Sequence, residues 1–147
     1  MPNLHQKIDQ MLTEARVILP GVQAMLGFQL IVIMTQAFER LPPSYQELHF
    51  VGLALAALSV VLLIALAAVH RLAFSGDDDA RFHELGTTLM SAALIPLAFA
   101  IAADSAVAAW KLSESELVSI GAAIVVTCLL LGLWYALPLI LRRRQPL

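Results

Sequence analysis

Among the polar residues in the apolar stretches of the 147-residue chain, one carboxylate and two of the carboxamides could do chemistry at depth. Asp104, in Ile101-Ala102-Ala103-Asp104-Ser105-Ala106, is the acid that falls within an apolar block. Gln29 lies near the middle of an earlier block, and Gln36 follows seven residues on, so a helix would project both from nearly one face. An acid at membrane depth is a candidate for proton or ion handling. A primary amide there has two donors and a carbonyl to satisfy without water. Ser59, Thr127 and Cys128 fall near the centres of their own blocks, and Pro96 frees the carbonyl of Ala92. Gln29, Gln36, Asp104 and Thr127 are therefore the candidate polar-layer or transport residues. The Ala92 carbonyl and the Thr127 hydroxyl are the partners expected for Gln29 by depth. The simpler role for such a layer is helix-to-helix hydrogen bonding, worth roughly 0.6 kcal/mol per bond. Asp104 should lie about 10 Å from the bilayer centre at the rise of an α-helix. It is expected to be solvated there, or paired with Arg40 or Lys111.

His70 and His83 flank a short connection. Together they could ligate a haem or a metal; beside Arg71 and Glu84, a hydrogen-bonding or lipid-headgroup role is the simpler expectation. No phosphate-binding glycine loop, cysteine pair or His-Glu-x-x-His run is present. The reading is a non-enzyme with no resident cofactor, no metal site and no catalytic residue. Cys128 is the single cysteine, so an internal disulfide is excluded. The net charge of −2 offers no basic face for nucleic acid.

The elements that position these residues follow from composition. Hydrophobic residues make up 60% of the chain and charged residues 14%, against about 25% charged in soluble domains. The excess is gathered in four blocks, near residues 18–38, 50–72, 85–109 and 117–141, each close to the ~20 residues that span a hydrocarbon core. Inside lipid the backbone must satisfy its own hydrogen bonds, so the blocks should be helices. The expected fold is an all-α membrane protein, four transmembrane helices in an antiparallel bundle over residues 18–141. The first 17 residues place Leu4, Ile8, Met11, Leu12 and Ala15 at helical spacing, which predicts a short amphipathic helix in the membrane interface. Pro20 would permit a bend from it into the first span. Leu41-Pro42-Pro43-Ser44 should end span one, and Ser75-Gly76-Asp77-Asp78-Asp79 should open span three, with its acids at the helix N-terminus.

Lys7, Arg16, Arg71, Arg81 and Arg142 to Arg144 fall on one side of this topology, against Arg40 and Lys111 on the other. The positive-inside bias places both termini, including the basic tail 142–147, in the cytoplasm. Met1–Arg16 lacks the apolar core of a cleavable signal, so span one is expected to be an uncleaved anchor.

Two stretches carry a likeness to a known family: Leu12-Thr13-Glu14-Ala15-Arg16-Val17-Ile18-Leu19-Pro20-Gly21-Val22-Gln23, and Ala68-Val69-His70-Arg71-Leu72. The Glu-x-Arg-Val-x-x-x-Gly-Val-Gln pattern before span one and the His-Arg pair closing span two resemble a bacterial membrane family, domain of unknown function 6328. The resemblance covers about three quarters of the chain. It implies a four-helix fold in a bacterial cytoplasmic (inner) membrane and brings no activity.

Three functions are in view. The first is a non-enzymatic homo-oligomeric component or accessory subunit of a larger membrane complex, suggested by the small residues of spans two and three (Gly52, Ala56, Ser59; Ala102, Ala103, Ala106). The second is a small oligomeric channel or transporter for cations or protons, lined by Gln29, Gln36 and Asp104. The third is a haem-bearing redox subunit using His70 and His83. The lipid bilayer is the one partner common to all three.

Overall fold

A computed structural model describes residues 3–74, 77 and 79–144. The connection around residue 76 and the last three residues of the basic tail, on which two expectations fell, lie outside them. Among the described residues six α-helices are formed: α1 (Leu4–Ile33), α2 (Gln36–Glu39), α3 (Pro43–Leu72), α4 (Ala80–Ser113), α5 (Glu116–Leu131) and α6 (Leu137–Arg144), with a π-helical segment (Gly132–Ala136) joining the last two. Four stretches, the last of them α5 through α6, are long and apolar enough to cross a membrane.

The caps explain where the helices begin. Asn3 accepts from the Gln6 N–H (2.9 Å) and Gln6 returns the bond to the Asn3 N–H (3.1 Å), a reciprocal capping box that satisfies two orphan donors of α1. Pro43 occupies the first turn of α3, where a missing N–H costs nothing, so this helix starts seven residues before the expected Phe50. Asp79 accepts from the Arg81 N–H (2.6 Å) at the start of α4. Between α4 and α5, Glu114 turns the chain in the left-handed region, at φ 51°.

Two expected boundaries are corrected. The amphipathic helix expected over residues 1–17 is not a separate element; α1 runs unbroken through Pro20. The apolar side of its first turns, Ile8, Met11 and Ala15, is buried against Leu66 and Phe82. Span one stops at Ile33 rather than Phe38, because Met34 and Thr35 break the helix and Thr35 caps α2, accepting from the Phe38 N–H (3.3 Å).

The contacts between α3 and α4 fall in reverse order along the two helices. The space over Gly52 meets Ala103, Ser59 bonds Ala93, and Leu66 lies against Gly86. The buried positions of α3 are Tyr45, His49, Gly52, Ala56, Ser59, Leu63 and Leu66, a strict alternation of four- and three-residue steps that keeps one stripe on α4. Ala102, Ala103 and Ala106, expected as helix-contact positions, are buried on the α4 side. Where small residues let backbones close up, hydroxyls stitch the seams. Ser59 donates to the Ala93 carbonyl and Ser119 to the Ala106 carbonyl, both at 2.8 Å. Beside the π segment, Tyr135 donates to the Ser91 carbonyl.

Three apolar clusters lie in series along the helices. At the basic end, near Arg71 and Arg81, Ile8, Met11, Leu66 and Phe82 pack together. In the middle lie Val22, Leu63, Ala93 and Leu97, with Trp134 against them. At the opposite, aromatic end, Leu41, Tyr45 and Val107 meet Trp110. Tyr45 and Trp110 stack there at 4.9 Å between centroids.

Candidate functional site

The gap between the middle and aromatic clusters is filled by polar side chains from three helices. Gln29 of α1 stands seven residues beyond Val22, two turns along the same buried face. His49 of α3 lies on the stripe that packs on α4. Asp104 of α4 lies opposite both. Gly52 makes the approach possible: a Cβ there would lie 3.2 Å from the Ala103 Cβ and 3.5 Å from Asp104 Oδ1.

Gln29 Nε2 donates to Asp104 Oδ2 at 2.7 Å. His49 Nδ1 lies 3.3 Å from Asp104 Oδ1, and His49 Nε2 lies 3.0 Å from the Gln29 backbone carbonyl. A carbonyl only accepts, so Nε2 donates to it and Nδ1 faces the carboxylate. The edge of Phe38, its ring centroid 5.4 Å from that of His49, closes the imidazole from the aromatic end.

Two acceptors in this centre lack a hydrogen-bond partner although buried: Gln29 Oε1 and Asp104 Oδ1. Nδ1 is near enough to Oδ1 for an ion pair but not aligned for a hydrogen bond. An unmet buried acceptor costs about 1–3 kcal/mol, so the pair of them marks a place where donors belong. The site borders a cavity of about 630 Å³ with walls that are mostly apolar, Phe28, Val32, Leu41 and Val107 among them, and with Lys111 on its lining. That volume lies within the roughly 300–1,000 Å³ of small-molecule pockets. Gln29 and the His49 side chain are 3% and 4% exposed, while the Asp104 side chain is 28% exposed. Asp104 is thus the most open of the three side chains, although its Oδ1 is buried at the edge of the cavity.

The residues picked from sequence separate here. Gln29 and Asp104 meet, but each with a different partner from those expected. Gln29 does not bond the Ala92 carbonyl or Thr127; Ser59 takes the neighbouring Ala93 carbonyl, and Thr127 makes no hydrogen bond among the described residues. Asp104 pairs with His49 and not with Arg40 or Lys111. Gln36 is exposed at the start of α2, because the break at Met34 destroys the seven-residue register with Gln29. His70 and His83 line different cavities, and the His70 ring packs on Phe82 at 4.5 Å, so the two imidazoles do not form one ligand pair. His49 is the residue that sequence reasoning missed. Starting span two at Phe50 left it in a loop, whereas the proline-at-N1 signal of Pro43 would have carried the four-three stripe back through it.

No curated protein and no solved structure matches the chain. The pattern read around Glu14 to Gln23 and at His70-Arg71 is matched by a family model over nearly the whole length. The chain belongs to the family of unknown function DUF6328, whose model covers residues 3–138.

Proposed function

We propose that this protein is a small carrier of the bacterial cytoplasmic membrane that binds an amphiphilic organic cation at Asp104 and exchanges it for a proton. In this reading the four long helices form an antiparallel bundle across the bilayer. Both termini face the cytoplasm, as the positive-inside bias asks, and the first turns of α1 stand at the inner surface. No bond in the ligand is made or broken, so the protein is not an enzyme.

The observation that carries the reading is the pair of unmet acceptors, Gln29 Oε1 and Asp104 Oδ1, at the edge of an apolar cavity. Both need a donor, the carboxylate favours a positive one, and the walls favour an apolar body. Exchange follows from charge. A site of low dielectric penalises a second net charge far more than water does. A bound cation therefore takes the place of a proton on the Asp104 carboxylate, and its departure calls a proton back. Lys111 is the other titratable group on the cavity lining; its positive charge works against the ligand and helps release it.

The small-residue faces that suggested an oligomer or accessory subunit are used within the chain: Gly52, Ala56, Ala103 and Ala106 are buried between helices. A carrier built from one copy is therefore the simpler assembly, and the particle mass in detergent tests it.

Ethidium, a planar apolar cation with N–H donors, is a suitable probe. Its fluorescence should report saturable binding to the purified protein, with proton release into a weakly buffered solution. Asp104→Asn should abolish both signals, and Lys111→Gln should tighten binding. Unchanged ethidium binding by Asp104→Asn would refute the proposal.

A further inference from the structure

A second cavity, of about 580 Å³, lies at the opposite end of the helices between α1 and α3. Arg16 of α1 and Arg71 of α3 both line it, with His70 beside them. Its remaining walls are hydrocarbon, chiefly Leu19, Leu63 and Ile64. Both arginines are exposed, and neither has an acidic partner among the described residues. Two guanidiniums on the lining of one cavity without an acidic partner make its mouth positive, a setting that favours an anion. Guanidinium matches phosphate oxygens with paired, charge-assisted hydrogen bonds.

The apolar walls say what the anion is attached to. Leu63 lies about two turns from His70 toward the middle of the span, so the cavity runs from charge at the helix ends into apolar depth. A free phosphate would leave that wall empty, whereas a phosphate with an acyl chain fits both parts. We propose that this cavity is a binding site for an anionic phospholipid, the phosphate held between Arg16 and Arg71 and the first acyl segment laid along Leu19, Leu63 and Ile64. The site is independent of the centre at Asp104, since it shares no lining residue with that cavity.

The test measures thermal unfolding of the full chain in a neutral detergent, with dioleoylphosphatidylglycerol, dioleoylphosphatidylcholine or inorganic phosphate added. Phosphatidylglycerol should raise the midpoint saturably, and phosphatidylcholine should do so much less. Inorganic phosphate should do nothing at matched concentration. Arg16→Gln and Arg71→Gln should each weaken the phosphatidylglycerol response roughly tenfold, as expected for one lost charge-assisted contact. Arg142→Gln combined with Arg143→Gln, which removes charge from the far tail, should leave it intact. Equal weakening by the tail variant would mean general attraction to a basic surface and would overturn the site. A phosphate response equal to that of phosphatidylglycerol would overturn the lipid assignment in favour of a soluble phosphate. Retention of the full response by both single variants and by the Arg16→Gln, Arg71→Gln double variant would dismiss the proposal altogether.

Discussion

At the basic end of the bundle, Phe82, Ile8 and Leu66 are 0%, 2% and 1% exposed, and Gly86 leaves so little room that an added Cβ would come within 2.6 Å of Met11. At the aromatic end, the same three helices border an open cavity, and two polar atoms on its edge have no hydrogen-bond partner. Both ends are built from α1, α3 and α4. One is close-packed hydrocarbon that holds the helices together. The other keeps open space and two unmet acceptors, where the proposed cation would sit. Packing and the proposed binding are thus separated along the length of the bundle, and substitutions at the two ends should fail in different assays.

The largest loss of stability should come from Phe82→Ala. Removing a fully buried aromatic costs about 3–5 kcal/mol. Denaturant unfolding in detergent should show it, while the protein that remains folded binds ethidium as before. Loss of binding without loss of stability would break the comparison. Gln29→Leu comes next, because it strands Asp104 Oδ2 without its donor, at about 1–2 kcal/mol; ethidium affinity should fall with it, since the carboxylate loses its alignment. A smaller change of opposite sign is expected at the α4–α5 corner. Glu114 sits at φ 51°, where a side chain is strained and glycine is not. Glu114→Gly should raise stability by about 0.5–1 kcal/mol, with no effect on either cavity. The smallest stability change belongs to Asp104→Asn, within about 0.5 kcal/mol of wild type, because an amide keeps the shape and removes a charge from an apolar setting. Its binding defect should nonetheless be complete. A variant at the aromatic end that keeps its stability while losing binding is the sharpest form of the contrast.

Much of this architecture could be read from the chain. Four apolar blocks, Pro43 at a helix start, Asp79 at another and the alanine run of α4 are local signals, and local signals survive in a sequence. What could not be read was which polar residues meet. Gln29 and Asp104 were both conspicuous, yet depth along the chain suggested the Ala92 carbonyl or Thr127 for one, and solvent, Arg40 or Lys111 for the other. Depth is a single coordinate, whereas contact also depends on the rotation of each helix about its axis, which the α3 stripe reveals only once its true start is known. The small break at Met34 and Thr35 had the same effect on Gln36: two missing helical residues moved it out of register. His49 was lost to a boundary error of seven residues, not to any weakness of its own signal.

The π-helical segment Gly132–Ala136 has a bearing on how the last span can be read. A π turn takes in one residue more than an α turn, so everything after it is displaced by about 100° around the helix axis. Ser119, before the segment, and Arg142 to Arg144, after it, therefore belong to two different angular frames. A single wheel drawn through residues 116–144 misplaces Leu137–Arg144 by that angle. Deleting Leu133 should merge the frames: Ser119 would stay on the Ala106 carbonyl while the three arginines swung to a new sector of the membrane surface. The azimuth of the basic tail is thus set by one surplus residue eight or more positions upstream, a phase offset written into the backbone and not into the charges themselves.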